Sequence, residues 1–168
     1  IVELEQAGKV RMVVTQNIDG LHSKAGTPPE RLVELHGTNS QVECQSCKTR
    51  SDPEPHFTSF AQTRKPPRCD CGGFLKPATI SFGQDMPLKE MARATSAAER
   101  ADLCLALGSS LSVFPAAEIP LVAARRGVPY IIINRGPTDQ DTYAMVTLRI
   151  EGAVEDHLPP AVLRALEA

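Results

Sequence analysis

The stretch KVRMVVTQNIDGLHSKAG, residues 9–26, changes character halfway along. Its first half is apolar apart from Lys9 and Arg11 and reads as a buried strand, while its second half crowds Gln16, Asn17, Asp19, Gly20 and His22 into a loop. In open α/β sheets the loop beyond a strand's carboxyl end is where ligands bind. Three more segments have strand character: ADLCLALGSS (101–110), GVPYIIINRG (127–136) and VTLRIEG (146–152). They are apolar on both faces, as parallel strands covered by helices must be. PLKEMARATSAAERA (87–101) and FPAAEIPLVAARRG (114–127) carry helical spacing, the second with Pro near its start and Gly127 at its end. The alternation predicts an α/β fold built on a doubly wound, Rossmann-like parallel sheet.

At 168 residues the chain has one-domain size and a net formal charge of -2, without the basic excess that binding a phosphate backbone demands, so no direct nucleic-acid partner is expected. No apolar run approaches the roughly 20 residues that span a bilayer, and IVELEQAGK has no signal-peptide pattern. A cytoplasmic chain with no membrane partner is expected. The start, Ile1 followed by what reads as the end of a helix, suggests a sequence that begins mid-domain. Nothing in the sequence sets the oligomeric state.

Residues 42–76 break the α/β rhythm: the segment is polar, proline-rich and holds four of the five cysteines. Cys44-x2-Cys47 and Cys69-x-Cys71 are two short-spaced thiol pairs, the second followed at once by Gly72 and Gly73. Such pairs close a tetrahedral zinc site. Two disulfides are the alternative, disfavoured by a reducing compartment and by the one-residue spacing of Cys69 and Cys71. With four thiolate ligands the metal has no open position, so its role is structural. The fifth, Cys104, alternates with leucines and reads as core. The division expected is 1–41 and 77–168 as the larger domain, with 42–76 as a small zinc-ribbon module.

Other strand ends carry ligand chemistry. Gly108, Ser109 and Ser110 are small residues suited to close approach by a phosphate or ribose, and Asn134 is a candidate ribose partner, although a plain turn accounts for it equally. Gly152 allows close backbone approach. His36, in ELHG just before the first cysteine pair, is a candidate base or a hydrogen-bonded structural residue.

Taken in order, TQNIDGLHSKAG, ELHG with its paired cysteines, CGGFLKPATISFGQDMP, LGSSLSVFPAAEIP and INRGPT resemble the sirtuins, the NAD-dependent protein lysine deacylases. The resemblance implies NAD as co-substrate, one structural zinc, and an acylated-lysine peptide or protein as substrate. It implies that Gln16, Asn17, Ile18 and Asp19 line the nicotinamide and its ribose, with Asn17 and Asp19 taking part in catalysis, and that His36 is the general base for a ribose hydroxyl. It matches Gly108, Ser109 and Ser110 to phosphate and ribose contacts, Asn134, Arg135 and Gly136 to the adenosine side, and Val154 to an adenine-side backbone contact. The edges TISFG, with Ile80, Phe82 and Gly83, and SVF, with Val113 and Phe114, match the two strands between which substrate peptide lies. The products implied are nicotinamide, an O-acyl-ADP-ribose and free lysine.

The sequence departs from the family at three points. The glycine-rich first motif and the N-terminal strand before it are missing from these residues. Gln84 replaces a frequent acidic residue, and the second cysteine pair is one residue tighter than usual. The missing strand and motif predict that the chain alone is inactive. Two other functions stay open: a non-catalytic, zinc-stabilised ADP-ribose- or peptide-binding fragment, and mono-ADP-ribosyl transfer. Acyl-chain preference and protein targets are not legible.

Overall fold

A computed structural model describes residues 1–167. In chain order the elements are α1 (Val2–Gln6), β1 (Val13–Thr15), α2 (Leu21–Ala25), β2 (Leu32–Glu34), β3 (Gly37–Cys44), β4 (Arg50–Ser51), α3 (Glu54–Thr63), β5 (Leu75–Thr79), α4 (Leu88–Glu99), β6 (Cys104–Leu107), α5 (Ile119–Ala124), β7 (Tyr130–Asn134), β8 (Leu148–Glu151) and α6 (Val154–Glu167). They form two compact units, residues 1–13 with 88–168, and residues 14–87.

The first unit carries the parallel sheet, ordered β6-β7-β8. Its central strand buries Tyr130, Ile132, Ile133 and Asn134, whereas β8, on the edge, has no buried residue and leaves Leu148 half exposed. The expectation of two covered faces therefore holds for β7 but not for β8, where an apolar sequence meets solvent. Ala106, Leu111, Ala117, Leu121, Ala124, Tyr130 and Ile132 make the core, with Cys104 packed against it. Burial pushes the Cys104 thiol up to about 11, which keeps it protonated and inert as core. α4 and α5 present alanines inward, Ala94, Ala97 and Ala98 on one and Ala123 and Ala124 on the other, so the helices lie close.

A polar thread crosses this core. The Tyr130 hydroxyl donates to Gln140 Oε1 at 2.9 Å, and Gln140 Nε2 donates to the Ala117 carbonyl at 2.7 Å, with Gln140 fully buried.

In the second unit β1 and β2 form a two-stranded sheet, and β3 pairs antiparallel with both β4 and β5. Residues 42–76 are more structured than their composition suggests. Val42, Cys44 and Leu75 form a small core with Cys69 against it, and α3 starts on Pro53 with Pro55 in its first turn, where a missing N–H costs nothing. At the β3/β5 crossing Gly37 has φ +73, and a Cβ there would run into the Ala78 carbonyl oxygen and sit 3.0 Å from Thr79 Cα. Among the described residues no helix is long and apolar enough to cross a membrane.

Tyr130→Phe should lower stability by about 1–3 kcal/mol, because it strands the buried Gln140 oxygen. Denaturant unfolding measures this, and an unchanged midpoint would contradict it.

Candidate functional site

The second unit gathers the polar loop after β1. His36 Nδ1 lies 3.0 Å from the Gln16 carbonyl, which can only accept, so Nδ1 is the donor and in the neutral ring the lone pair sits on Nε2. The His36 carbonyl accepts the Ile80 N–H at 2.8 Å. One residue thus ties the loop beyond β1 to the segment beyond β5. The same loop is pinned twice more, by Asn39 N–H to the Ile18 carbonyl at 2.8 Å and by Leu21 N–H to Asp19 Oδ1 at 2.9 Å. Burial pushes the Glu34 carboxyl up against a hydrogen bond from Thr38, and the Asp19 charge adds to the rise. Gln16, Asn17, Ile18, Asp19 and His36 are therefore clustered, with Asn17 and Asp19 exposed and His36 half-buried. Beyond β5, Phe82 and Gly83 lie on an exposed turn, and the Phe82 ring is wholly in solvent.

The four cysteines converge. Their sulfurs lie within 4.8 Å of one another, Cys44 Sγ to Cys71 Sγ at 3.5 Å and Cys47 Sγ to Cys69 Sγ at 3.7 Å. No disulfide joins them. Four bonds of about 2.3 Å directed tetrahedrally require ligand separations of about 3.8 Å, so the cluster fits zinc. The N–H of Cys47 and, less strongly, that of Ser46 point at Cys44 Sγ and hold its thiol below the ordinary range. Thr49 lowers Cys47 to about 6. Cys71, although the Gly73 N–H favours its thiolate, is pushed up to about 11 by its neighbours Cys47 and Cys44. Gly73 is required by space: a Cβ there would lie 2.6 Å from Cys44 Sγ. The tight Cys69-x-Cys71 turn is braced by Arg68, which donates to the Gly72 carbonyl at 2.7 Å and stacks 3.9 Å over Phe74.

The first unit holds the other group, all at the carboxyl ends of its parallel strands. Gly108 follows β6, with φ +60 and the space above its Cα facing Val154 Cγ2, so Gly108 and Val154 are neighbours. Ser110 Oγ bonds Ser112 Oγ at 2.7 Å, and Val113 and Phe114 follow, both exposed. At the end of β7 the Asn134 amide donates to the carbonyls of Arg135 and Gly136. Sequence reading missed what fixes this turn. Glu151 accepts the Gly136 N–H at 2.7 Å, and Arg149 donates to the carbonyls of Asn134 and Gly136 and to Asp141 Oδ1 at 2.7 Å. Thr138 and then Arg149 hold the Asp141 carboxyl below its usual range. Its contribution is present above the ordinary carboxylate range and is lost as pH falls through the lowered value. An Arg on an apolar edge strand carries no motif.

Residues 1–115 match the model of the Sir2 family. The chain is 44% identical over 149 residues to an NAD-dependent protein deacetylase of Caldivirga maquilingensis, covering 88% of this chain and 56% of that protein. It is 43% identical over 165 residues to one from Haloarcula marismortui, covering 98% and 62%. The chain thus spans little more than half the length of these relatives. A solved Sir2 structure described with a p53 peptide and NAD+ superposes with a TM-score of 0.88 at 32% identity, covering 99% of this chain and 68% of that one. A Sir2 bound to acetylated peptide gives 0.86 at 33%, covering 98% and 66%.

Purified protein should carry about one zinc per chain. Cys44→Ser with Cys69→Ser should abolish retention, and Gly73→Val should reduce it. Elemental analysis decides, and full zinc in the double variant would refute the ligand set.

Proposed function

The chain belongs to the Sir2 family, and from that premise we propose that it serves an NAD-dependent protein lysine deacylase that yields nicotinamide, O-acyl-ADP-ribose and free lysine. The observation that carries the reading is the His36 ring: its Nδ1 proton is committed to the Gln16 carbonyl, so Nε2 is the acceptor a general base needs. A purely binding fragment has no use for an imidazole oriented with Nε2 free of that contact beside an amide- and carboxylate-rich loop.

In this reading Gln16, Asn17, Ile18 and Asp19 hold the nicotinamide end of NAD. The loop's main chain and the Asp19 carboxylate are held in place by hydrogen bonds, and amide and carboxylate groups presented from it would favour charge developing at the ribose as nicotinamide leaves. His36 Nε2 takes the proton of a ribose hydroxyl, and that hydroxyl accepts the acyl group. Gly108, Ser109, Ser110 and Val154 take the phosphate, ribose and adenine side, and Asn134, Arg135 and Gly136 take the adenosine. Substrate peptide adds as a strand held by main-chain hydrogen bonds, with Ile80, Phe82 and Gly83 of one unit and Val113 and Phe114 of the other as the residues proposed to contact it. Cys44, Cys47, Cys69 and Cys71 hold zinc, which supplies a cross-link and no open coordination position. Residues 1–41 and 77–168 belong to the dinucleotide-binding domain and 42–76 to the zinc module. Five cysteines outside any disulfide suit a reducing compartment, and the cytoplasm is the location proposed.

Placed in the full-length context of its relatives, His36→Ala should leave NAD binding intact and slow deacylation about 10²–10⁴-fold. Near-normal turnover would place the base elsewhere. Residues 1–168 alone lack a glycine-rich phosphate loop, and phosphate contacts at a helix N-terminus supply much of a dinucleotide's affinity. They should release no nicotinamide from NAD with an acetyl-lysine peptide until that segment is supplied, in cis or as a second polypeptide. Robust turnover by these residues alone would overturn this account of the cofactor site.

A further inference from the structure

The second unit contains a small polar recess of about 60 Å³ that the site described so far does not use. Thr79, Ile80 and Gln84 wall one part of it, and Lys48, Arg50, Lys76 and Glu43 supply its charges, three cations against one carboxylate. The single acid is already engaged: Glu43 Oε2 takes Arg50 Nε at 2.9 Å and Oε1 faces Lys48 Nζ at 3.8 Å. Lys76 Nζ donates to the carbonyls of Thr79, at 2.5 Å, and Pro77, at 3.2 Å, which leaves one of its three N–H groups without a bond. Gln84 is neutral, its Oε1 accepting the Ser81 N–H at 2.8 Å, so it adds no negative charge at the mouth. The recess therefore has donors and positive charge in excess and too little volume for anything larger than a small group.

Its position gives it a purpose. Thr79 and Ile80 are also the start of the edge along which the peptide is read to lie, so a side chain of a peptide strand laid there meets the recess directly. Because alternate side chains of an added strand fall into pockets on the receiving sheet, such a recess acts on sequence, not on main chain. We propose that the Lys48, Arg50 and Lys76 recess binds an aspartate or glutamate side chain flanking the acylated lysine, which makes acidic segments the preferred substrate class. The proposal rests on the acyl-lysine reading of the site, and adds selectivity to main-chain binding that by itself tolerates any sequence.

Lys48 and Arg50 are 66% and 51% exposed, so each contact is partly screened and the expected effect is modest, about two- to fivefold in affinity per charge and smaller at high salt. The test places residues 1–168 in the full-length context of the relatives and uses fluorescent peptides bearing acetyl-lysine or unmodified lysine, flanked by aspartate, alanine or lysine at each position in turn, read by anisotropy at low and high salt. The expected result is tighter binding of the aspartate peptides at one flanking position, dependent on the acetyl group and weakened by salt. Lys48→Glu with Arg50→Glu, both surface changes, should reverse the order to favour lysine peptides, with retained zinc reporting an intact module. Equal binding of acidic, neutral and basic peptides would overturn the recess and leave the acyl-lysine reading standing. An acidic preference that ignores acetylation would overturn the acyl-lysine reading and leave the recess in place.

Discussion

The hydrogen bonds of His36 are the constraint on which the second unit depends. Its ring is fixed by the Gln16 carbonyl and its own carbonyl by the Ile80 N–H, while its neighbour Gly37 lies against the Ala78 backbone, where no side chain fits. The loop beyond β1, the turn from β2 into β3 and the segment beyond β5 are far apart in sequence and meet at this residue. Because both bonds are to main chain, they orient the imidazole without requiring a second titratable group, so the ring's tautomer follows from the fold. Nothing has to move to make Nε2 an acceptor.

The two units hold the residues proposed to face NAD by different means. The loop after β1 is held through its main chain, by the His36 ring on the Gln16 carbonyl and the Asn39 N–H on the Ile18 carbonyl. The turn at Asn134 is held by side chains of β8, with Arg149 bridging two of its carbonyls to Asp141 and Glu151 taking the Gly136 N–H. At the Asn134 turn the holding residues, Arg149 and Glu151, are distinct from those proposed to face NAD. That division lets Gly108, Ser109 and Gly136 stay small while the precision comes from elsewhere.

Strands and motif residues were legible in the sequence because their signals are local. Apolar runs ending in polar loops mark β1, β6, β7 and β8, and cysteine spacing marks the metal cluster, since both patterns lie within a few residues. α3 and α6 carry prolines, Pro53 and Pro55 and then Pro159 and Pro160, a residue type that helix interiors disfavour, so neither helix is legible as one from sequence. In α3 the prolines sit at the start, where the N–H has no partner, and in α6 they lie on exposed positions where water can satisfy the freed carbonyls. The roles of Arg149 and Lys76 were invisible for another reason. Each is one charged residue in a strand, and its meaning lies in carbonyls that only the folded chain brings to it.

The Gly73 contact with Cys44 has a consequence for supply. The metal cluster closes the outer end of the β3 and β5 pair, and the inner end of that pair is Gly37 opposite Thr79, beside His36. A module with so small a core draws much of its folding free energy from the ion, so scarcity of zinc depletes the folded population and leaves the properties of each folded molecule unchanged. Metal nutrition would then set the abundance of competent protein, and an inhibitor that competes with substrate could not mimic it.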